Sequence, residues 1–360
     1  MKISSQDKKI VVYAVDKHHP HGKENLIFDR EAVGEHAETL PFLYEECLKR
    51  GIQLVTPDIY FSLLKQPGQA VFVMDGTDTG HVRELVKTGL RAAVIIVVES
   101  PIYCCRFFYN LERETALFDH SLLPKGAGPH VSPKTKFHPY IPVQLFTGKE
   151  HVDANFEKKK FLTLIAGNKR VHKLKRLYVH VMNFLNPFPS FVDRELCYDR
   201  LEAIRHFSNN PGFDLYGYGW DQPVRYGNKR YKEGIRRSYR GIIKAKLPVL
   251  QQYKFSICFE NSIFDGYVTE KIIDSLFAGC VPVYWGAPDV TDYIPKSCFI
   301  DFRDFKDYVE LELFLKNMDK RTYNTYIENI NAFIASENYH KYFGMGKFAE
   351  NMIEIFESYF

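Results

Sequence analysis

Residues 255–288 leave this chain little choice of fold. Phe255-Ser-Ile-Cys-Phe259 is a short apolar run with aromatic bias, the pattern of a buried strand. Glu260, Asn261 and Ser262 follow, then a turn in which Gly266 lets the backbone bend sharply or approach a ligand. Thr269 is a good N-cap, and Ile272, Ile273, Leu276 and Phe277 recur at helical spacing before Gly279 in the C′ role. Val281-Pro-Val-Tyr-Trp285 predicts the next strand. The unit is strand, helix, strand, with polar residues at the first strand's carboxyl end, where open α/β sheets bind ligands.

Glu270 and Lys271 fall in the first turn of that helix, where free N–H groups and the helix dipole favour an anion. A cation there, beside a carboxylate that accepts hydroxyl hydrogen bonds, suits a sugar nucleotide. The plainer reading is a dipole-complementing Glu next to a solvated Lys. The crowding of Glu260, Asn261, Ser262, Tyr267 and Thr269 at the same turn argues against it.

The run through Phe277-Ala-Gly-Cys-Val-Pro-Val-Tyr-Trp-Gly-Ala-Pro288 resembles the signature of glycosyltransferase family ten, the α-1,3/1,4-fucosyltransferases, which reads F-x-L-x-F-E-N-x, a spacer, then Y-V-T-E-K. The likeness continues through Lys246, Leu250, Tyr253 and Lys254 and, more weakly, Ile165-Ala-Gly-Asn168, covering about the second half of the chain. It implies the GT-B fold, two Rossmann-like α/β domains facing a cleft, and inverting transfer of L-fucose from GDP-β-L-fucose to a GlcNAc-containing glycan, α-1,3 linkage favoured. The acceptor would be an oligosaccharide or a lipid-linked glycan such as a lipopolysaccharide O-antigen. No cofactor is implied and no essential metal, because Lys and Arg neutralise the charge in this family.

The first half alternates strands and helices in agreement with such a domain. Strands are expected at 9–15, 52–57, 70–74 and 92–98, and helices near 38–50 and 81–88. A second alternating unit begins near Phe161-Leu-Thr-Leu-Ile-Ala166, after a turn-rich stretch from Pro124 to Pro142. The expected division is 1–152 for the acceptor, 153–344 for the GDP-sugar, and a helix over 345–360 packing back on the protein.

Composition allows this. Apolar content is 45%, charged content 26%, and net charge +4, with nine Lys or Arg from Arg225 to Lys246 against the single Glu233. That stretch and the cluster from Lys158 to Arg176 suit a sugar nucleotide or a phosphate-bearing acceptor; no zinc-finger or RNA-recognition pattern accompanies them, so nucleic acid is not expected. Seven cysteines without CxxC spacing, several in apolar runs, point to a reducing compartment. Met1-Lys2 leads straight to a strand with no signal-peptide core, which suggests a cytoplasmic bacterial enzyme, at most peripheral to the inner face of the membrane. In the tail, Phe348, Met352, Ile355, Phe356 and Tyr359 oppose Glu350, Glu354 and Glu357, a pattern for packing on protein rather than on anionic lipid.

Transfer with inversion needs a base for the acceptor hydroxyl and positive charge for the departing diphosphate. The candidate base is Glu99, which ends the apolar strand 92–98; the alternatives are a Glu that only braces its loop, or Glu112 and Glu114 on a helix face. The resemblance implies that Lys271 and an arginine meet the phosphates. Arg200 is the choice, with Lys175 and Arg176 as competitors. Glu270 would accept sugar hydroxyls, Asn261 and Tyr267 line the nucleotide pocket, and Thr269 and Lys246 support them; Glu260 either braces the turn or touches ligand. His18-His-Pro-His21 and Asp75-Gly-Thr-Asp78 mimic metal motifs, but the first lacks partners at ligand spacing and the second reads as a turn. Gly217-Tyr-Gly219-Trp220 lacks the third glycine of a dinucleotide loop. Two other readings stay open: a same-fold transferase using another GDP-deoxyhexose, and a non-catalytic sugar-nucleotide or glycan-binding protein.

Overall fold

The computed structural model describes residues 9–33, 38–64, 70–141, 152–169, 173–185, 195–222 and 229–360; of the features above, Met1, Lys2, Pro142 and Arg225 lie outside them. The chain divides into two compact units, residues 1–145 with 340–360, and residues 146–339.

The first unit is built on six strands: β1 (Lys9–Val15), β2 (Ile52–Val55), β3 (Ala70–Asp75), β4 (Arg91–Ile96), β5 (His120–Leu123) and β6 (Lys136–Pro139). Their order is β2-β1-β3-β4-β5-β6 and every pairing is parallel. β1, β3 and β4 are near-continuous apolar runs because strands at the centre of a parallel sheet are buried on both faces. β5 and β6 escape sequence reading: each has four residues, with His and Lys among them, and Pro139 is tolerated at the end of an edge strand. Helices α1 (Thr39–Lys49) and α2 (Thr79–Lys87) lie close to their expected positions. Asp75-Gly-Thr-Asp78 is the turn before α2; Asp78 Oδ1 caps the helix by accepting the Gly80 and His81 N–H groups at 3.1 and 3.0 Å.

The C-terminal helix, Met345–Glu357, belongs to this first unit. Phe348, Met352, Ile355 and Phe356 enter one core with Val11, Leu43, Cys47 and Leu54, while Glu350, Glu354 and Glu357 face solvent. Each such side chain contributes about 1.5–3 kcal/mol by leaving water.

The second unit carries β7 (Lys160–Ile165), β8 (Phe213–Tyr216), β9 (Tyr253–Phe259), β10 (Val281–Trp285) and β11 (Ile300–Asp301), ordered β11-β10-β9-β7-β8 and all parallel. Helices α3 (Cys197–Phe207) and α4 (Glu270–Phe277) matter for the site. Gly279 ends α4 at φ 60°, in the C′ place its sequence predicts. The Gly217-Tyr-Gly219-Trp220 loop is structural: Gly217 has φ 130° and a Cβ there would meet the Ala166 carbonyl oxygen at 2.1 Å. Trp220 Nε1 donates to that oxygen at 2.6 Å, and Asn168 Nδ2 donates to the Gly219 oxygen at 2.8 Å. The two loops therefore close on each other beside the point between β7 and β9 where strand order reverses, the usual binding crevice of such sheets.

Candidate active site

In the second unit, β9 runs apolar and buried to Phe259 and delivers Glu260, wholly buried, at its carboxyl end. A buried carboxylate requires charge and hydrogen-bond partners. Glu260 Oε2 accepts from Lys271 Nζ at 2.9 Å and from Thr269 Oγ1 at 2.8 Å, and Oε1 accepts from Thr269 N at 2.8 Å. The turn thus uses Glu260 as its brace. Thr269 stands at the N-cap position in extended conformation, but its hydroxyl makes no capping bond; Glu260 and Lys271 take it instead. That corrects the N-cap expectation, and the reason is that the Lys271 ammonium, a charged donor, outcompetes the neutral N–H groups of the first turn for the hydroxyl oxygen, while the hydroxyl's own proton goes to Glu260.

Gly286 makes room for this arrangement: a Cβ there would lie 2.5 Å from Glu260 Cγ and 2.6 Å from the Tyr284 hydroxyl. Cys258 ties β9 to α4 through Ser275 Oγ at 3.2 Å and the Lys271 carbonyl at 3.3 Å; burial pushes its thiol up to about 12. All seven cysteines are free.

Lys271 Nζ also donates to Thr269 Oγ1 at 2.7 Å, which leaves one of its three donors for a ligand. Burial opposes the charge, yet Glu260 and Glu270 hold its pKa above the ordinary lysine value. Glu270 is not free for sugar alone: Lys246 Nζ lies 3.3 Å from its Oε1 and 2.9 Å from Asp274 Oδ2. Burial works against the Glu270 carboxylate, but Lys271 and then Lys246 keep it far below the usual range. Asp274, which no motif pointed to, is the buried partner that fixes Lys246. Asn261 and Tyr267 are buried against each other, Nδ2 to hydroxyl at 3.3 Å.

Arg200 is 4% exposed on α3, and its charge reaches Lys271, working against that lysine's protonation. It donates to Cys197 Sγ at 3.0 Å, and among the described residues no carboxylate pairs with it. Its competitor Arg176 is paired with Glu195 and lies 4.3 Å over the Tyr198 ring; Lys175 is half-buried in the helix Lys173–Leu185. A buried arginine that no carboxylate pairs with among the described residues, and a lysine with a spare donor at a helix N-terminus within electrostatic reach of it, are groups that can hold an anion.

In the first unit, Glu99 is half-buried just beyond β4, where Oε1 accepts the Ser100 N–H at 3.0 Å. It lines a cavity of about 730 Å³ together with Asp16, Asp75, His19, His21 and Tyr103. His19 and His21, of the run read from sequence as lacking partners at ligand spacing, border this cavity; among the described residues no three or more His, Cys, Asp or Glu are placed to hold a metal ion. Glu112 is exposed, and Glu114 is buried in pairs with Arg83 and Arg113, a structural role. No helix among the described residues is long and apolar enough to cross a membrane.

Two α/β units, each built on an all-parallel sheet, are the architecture of the GT-B fold, which the solved structures similar to this chain share. The crystal structure of an α1,3-fucosyltransferase with GDP superposes with a TM-score of 0.51 at 17% identity, covering 99% of this chain and 93% of that one. Residues 199–345 match the family model for glycosyltransferase family 10 (fucosyltransferase) C-term. It is 45% identical over 95 residues to alpha-(1,3)-fucosyltransferase FucT of Helicobacter pylori, 26% of this chain and 20% of that protein. It is 40% identical over 83 residues to GDP-fucose protein O-fucosyltransferase 3 of Bos taurus, 22% of this chain and 17% of that protein. The matched stretch spans about a fifth of these relatives' length.

Proposed function

We propose that the chain is an inverting fucosyltransferase that moves L-fucose from GDP-β-L-fucose to a hydroxyl of a GlcNAc-containing glycan, with α-1,3 linkage favoured. The observation that carries this is the buried Arg200, without a carboxylate partner among the described residues, acting alongside Lys271 at the α4 N-terminus. A diphosphate would complete both. Glu99 takes the acceptor hydroxyl's proton as its oxygen bonds to the fucose anomeric carbon, and the bond to the GDP oxygen breaks on the opposite face. Arg200 and Lys271 stabilise the charge that collects on the departing diphosphate, so no metal is needed. Glu270, held ionised by Lys246 and Lys271, accepts hydrogen bonds from donor hydroxyls, with Asn261 and Tyr267 shaping the nucleotide pocket. The acceptor is an oligosaccharide or lipid-linked glycan of a bacterium, an O-antigen among the candidates, and the enzyme works in the cytoplasm at or near the inner membrane face.

The likeness to a protein O-fucosyltransferase favours a second reading, in which the same donor reaches a protein hydroxyl. The test is GDP release from GDP-fucose, GDP-mannose and UDP-sugars in EDTA, with N-acetyllactosamine, a folded protein acceptor, or none. Release from GDP-fucose that depends on the saccharide and disappears in Glu99→Gln supports the glycan reading. Release from another donor moves the chemistry to a different GDP-deoxyhexose. Tight GDP binding without turnover would leave a sugar-nucleotide-binding protein.

A further inference from the structure

The first unit has its own reversal of strand order. β1 is followed by β2 on one side of it, and the chain then returns to β3 on the other. Such points open a crevice beyond the carboxyl ends of the strands. The cavity lies there: Asp16 follows β1, Asp75 ends β3, and Glu99 follows β4, the strand beside β3.

Asp75 is set in that cavity with its two oxygens in different states. Oδ2 accepts the hydroxyl of Tyr13, 1% exposed, at 2.8 Å. Oδ1 accepts no hydrogen bond among the described residues. The loop after it is drawn tight over Asp16, whose Oδ1 accepts the Thr77 and Asp78 N–H groups at 2.8 Å each. Gly76, at φ 145°, permits this, since a Cβ would lie 2.3 Å from that oxygen. Asp75 is therefore a fixed acceptor with one oxygen open. Three carboxyl groups line the cavity and no Lys or Arg does among the described residues, so a phosphate, sulfate or carboxylate would meet like charge. Hydroxyl groups are what carboxylate oxygens bind, and a volume of about 730 Å³ holds more than one sugar ring.

We propose that Asp75 is a positioning residue of the acceptor site: its open oxygen holds one hydroxyl of a neutral sugar, and the three carboxyl groups select neutral acceptors over anionic ones. The assignment of the cavity to the acceptor rests on the transferase reading above; the selection of neutral saccharides does not depend on turnover.

The experiment uses the full chain with GDP. Binding of N-acetyllactosamine and of its sialylated form is measured by saturation-transfer NMR and calorimetry, and steady-state kinetics follow with GDP-fucose. In Asp75→Ala the Kd and KM for N-acetyllactosamine should rise about tenfold, the effect of one lost charge-assisted hydrogen bond. kcat should stay within about threefold, and the KM for GDP-fucose should not move. Asp75→Asn, which keeps an acceptor oxygen and the volume, should recover most of the loss and narrow the gap between neutral and sialylated ligands. Equal binding of the two ligands by the wild type would overturn the proposal, as would an Asp75→Ala that weakens donor and acceptor alike or neither. Saccharide binding that follows this pattern without turnover would keep the proposal and discard the transferase reading. GDP binding with no saccharide bound would sink the proposal by itself.

Discussion

Glu260 and Lys271, eleven residues apart, meet at 2.9 Å with the carboxylate wholly buried and the lysine side chain 15% exposed. The pair joins the end of β9 to the first turn of α4, so Lys271, the proposed phosphate contact, is oriented by the residue that follows the strand.

Removing Glu260 should therefore damage the fold before the chemistry. Glu260→Ala strips the partner from a buried ammonium and leaves the Thr269 N–H without an acceptor, a loss of about 3–5 kcal/mol. Denaturant unfolding should show the midpoint shift, and GDP titration a weaker site.

Arg200 predicts the opposite ranking. With no carboxylate partner among the described residues, its loss orphans no anion, so Arg200→Ala should change stability by less than Glu260→Ala. Turnover should fall by about 10²–10³, the usual effect of losing one donor to developing charge. Arg200→Lys should restore little, because the planar fork is lost with the guanidinium. Wild-type affinity in Arg200→Ala, read by GDP calorimetry, would remove this residue from the site.

Gly286→Ala tests the packing that holds the brace. The added methyl would stand 2.5 Å from Glu260 Cγ and 2.6 Å from the Tyr284 hydroxyl, so one of them must move. A cost of about 1–3 kcal/mol is expected, accompanied by weaker GDP binding as Glu260 loses its hold on Lys271. A thermal scan and a GDP titration on the same sample would separate the two effects.

The His120–His138 pair sets an acid limit. Nδ1 of one and Nε2 of the other are 3.0 Å apart, rings stacked at 5.2 Å on neighbouring strands β5 and β6. Burial, then His120 and Lys136, lower His138 from the ordinary histidine value of 6.5 to about 4. The unfolded chain takes up this proton near pH 6.5 while the folded chain resists until about pH 4, so stability is fully present above pH 6.5 and falls as pH drops through that window. At about 1.4 kcal/mol per pH unit the window bounds the loss at roughly 2 kcal/mol by pH 5, and solvent screening of this half-buried ring brings the expected loss to about 1 kcal/mol. Urea midpoints at pH 7.5 and 5 should differ by less in His138→Gln than in the wild type.

Much of the site was legible because its residues are close in sequence. Glu260, Thr269, Glu270 and Lys271 lie on one strand-turn-helix, and local chemistry is enough to bring them to the same turn. What each does there was not legible. Whether Glu260 braces or binds, and whether Thr269 caps, depended on burial, which a sequence does not carry. β5, β6 and β8 were missed because four-residue strands with polar positions show no clear period, and their pairing with strands far along the chain decides them.

By itself, the sequence determined two alternating α/β runs, the apolar strands β1, β3, β4 and β9, the helix with Glu270 and Lys271 at its start, and an amphipathic C-terminal helix, since each follows from residue type and spacing within a few turns. Only the tertiary structure decided that Arg200 comes within electrostatic reach of Lys271 without a carboxylate partner among the described residues, that Asp274 fixes Lys246, and that Asp75 and Tyr13 share a cavity with Glu99. Lys246 and Asp274 are 28 positions apart in the chain and Tyr13 and Asp75 are 62 apart, while the charge of Arg200 acts on Lys271 from 71 positions away. Parallel strands bring such distant positions to one sheet edge, and the charge each side chain keeps is set by what is buried against it.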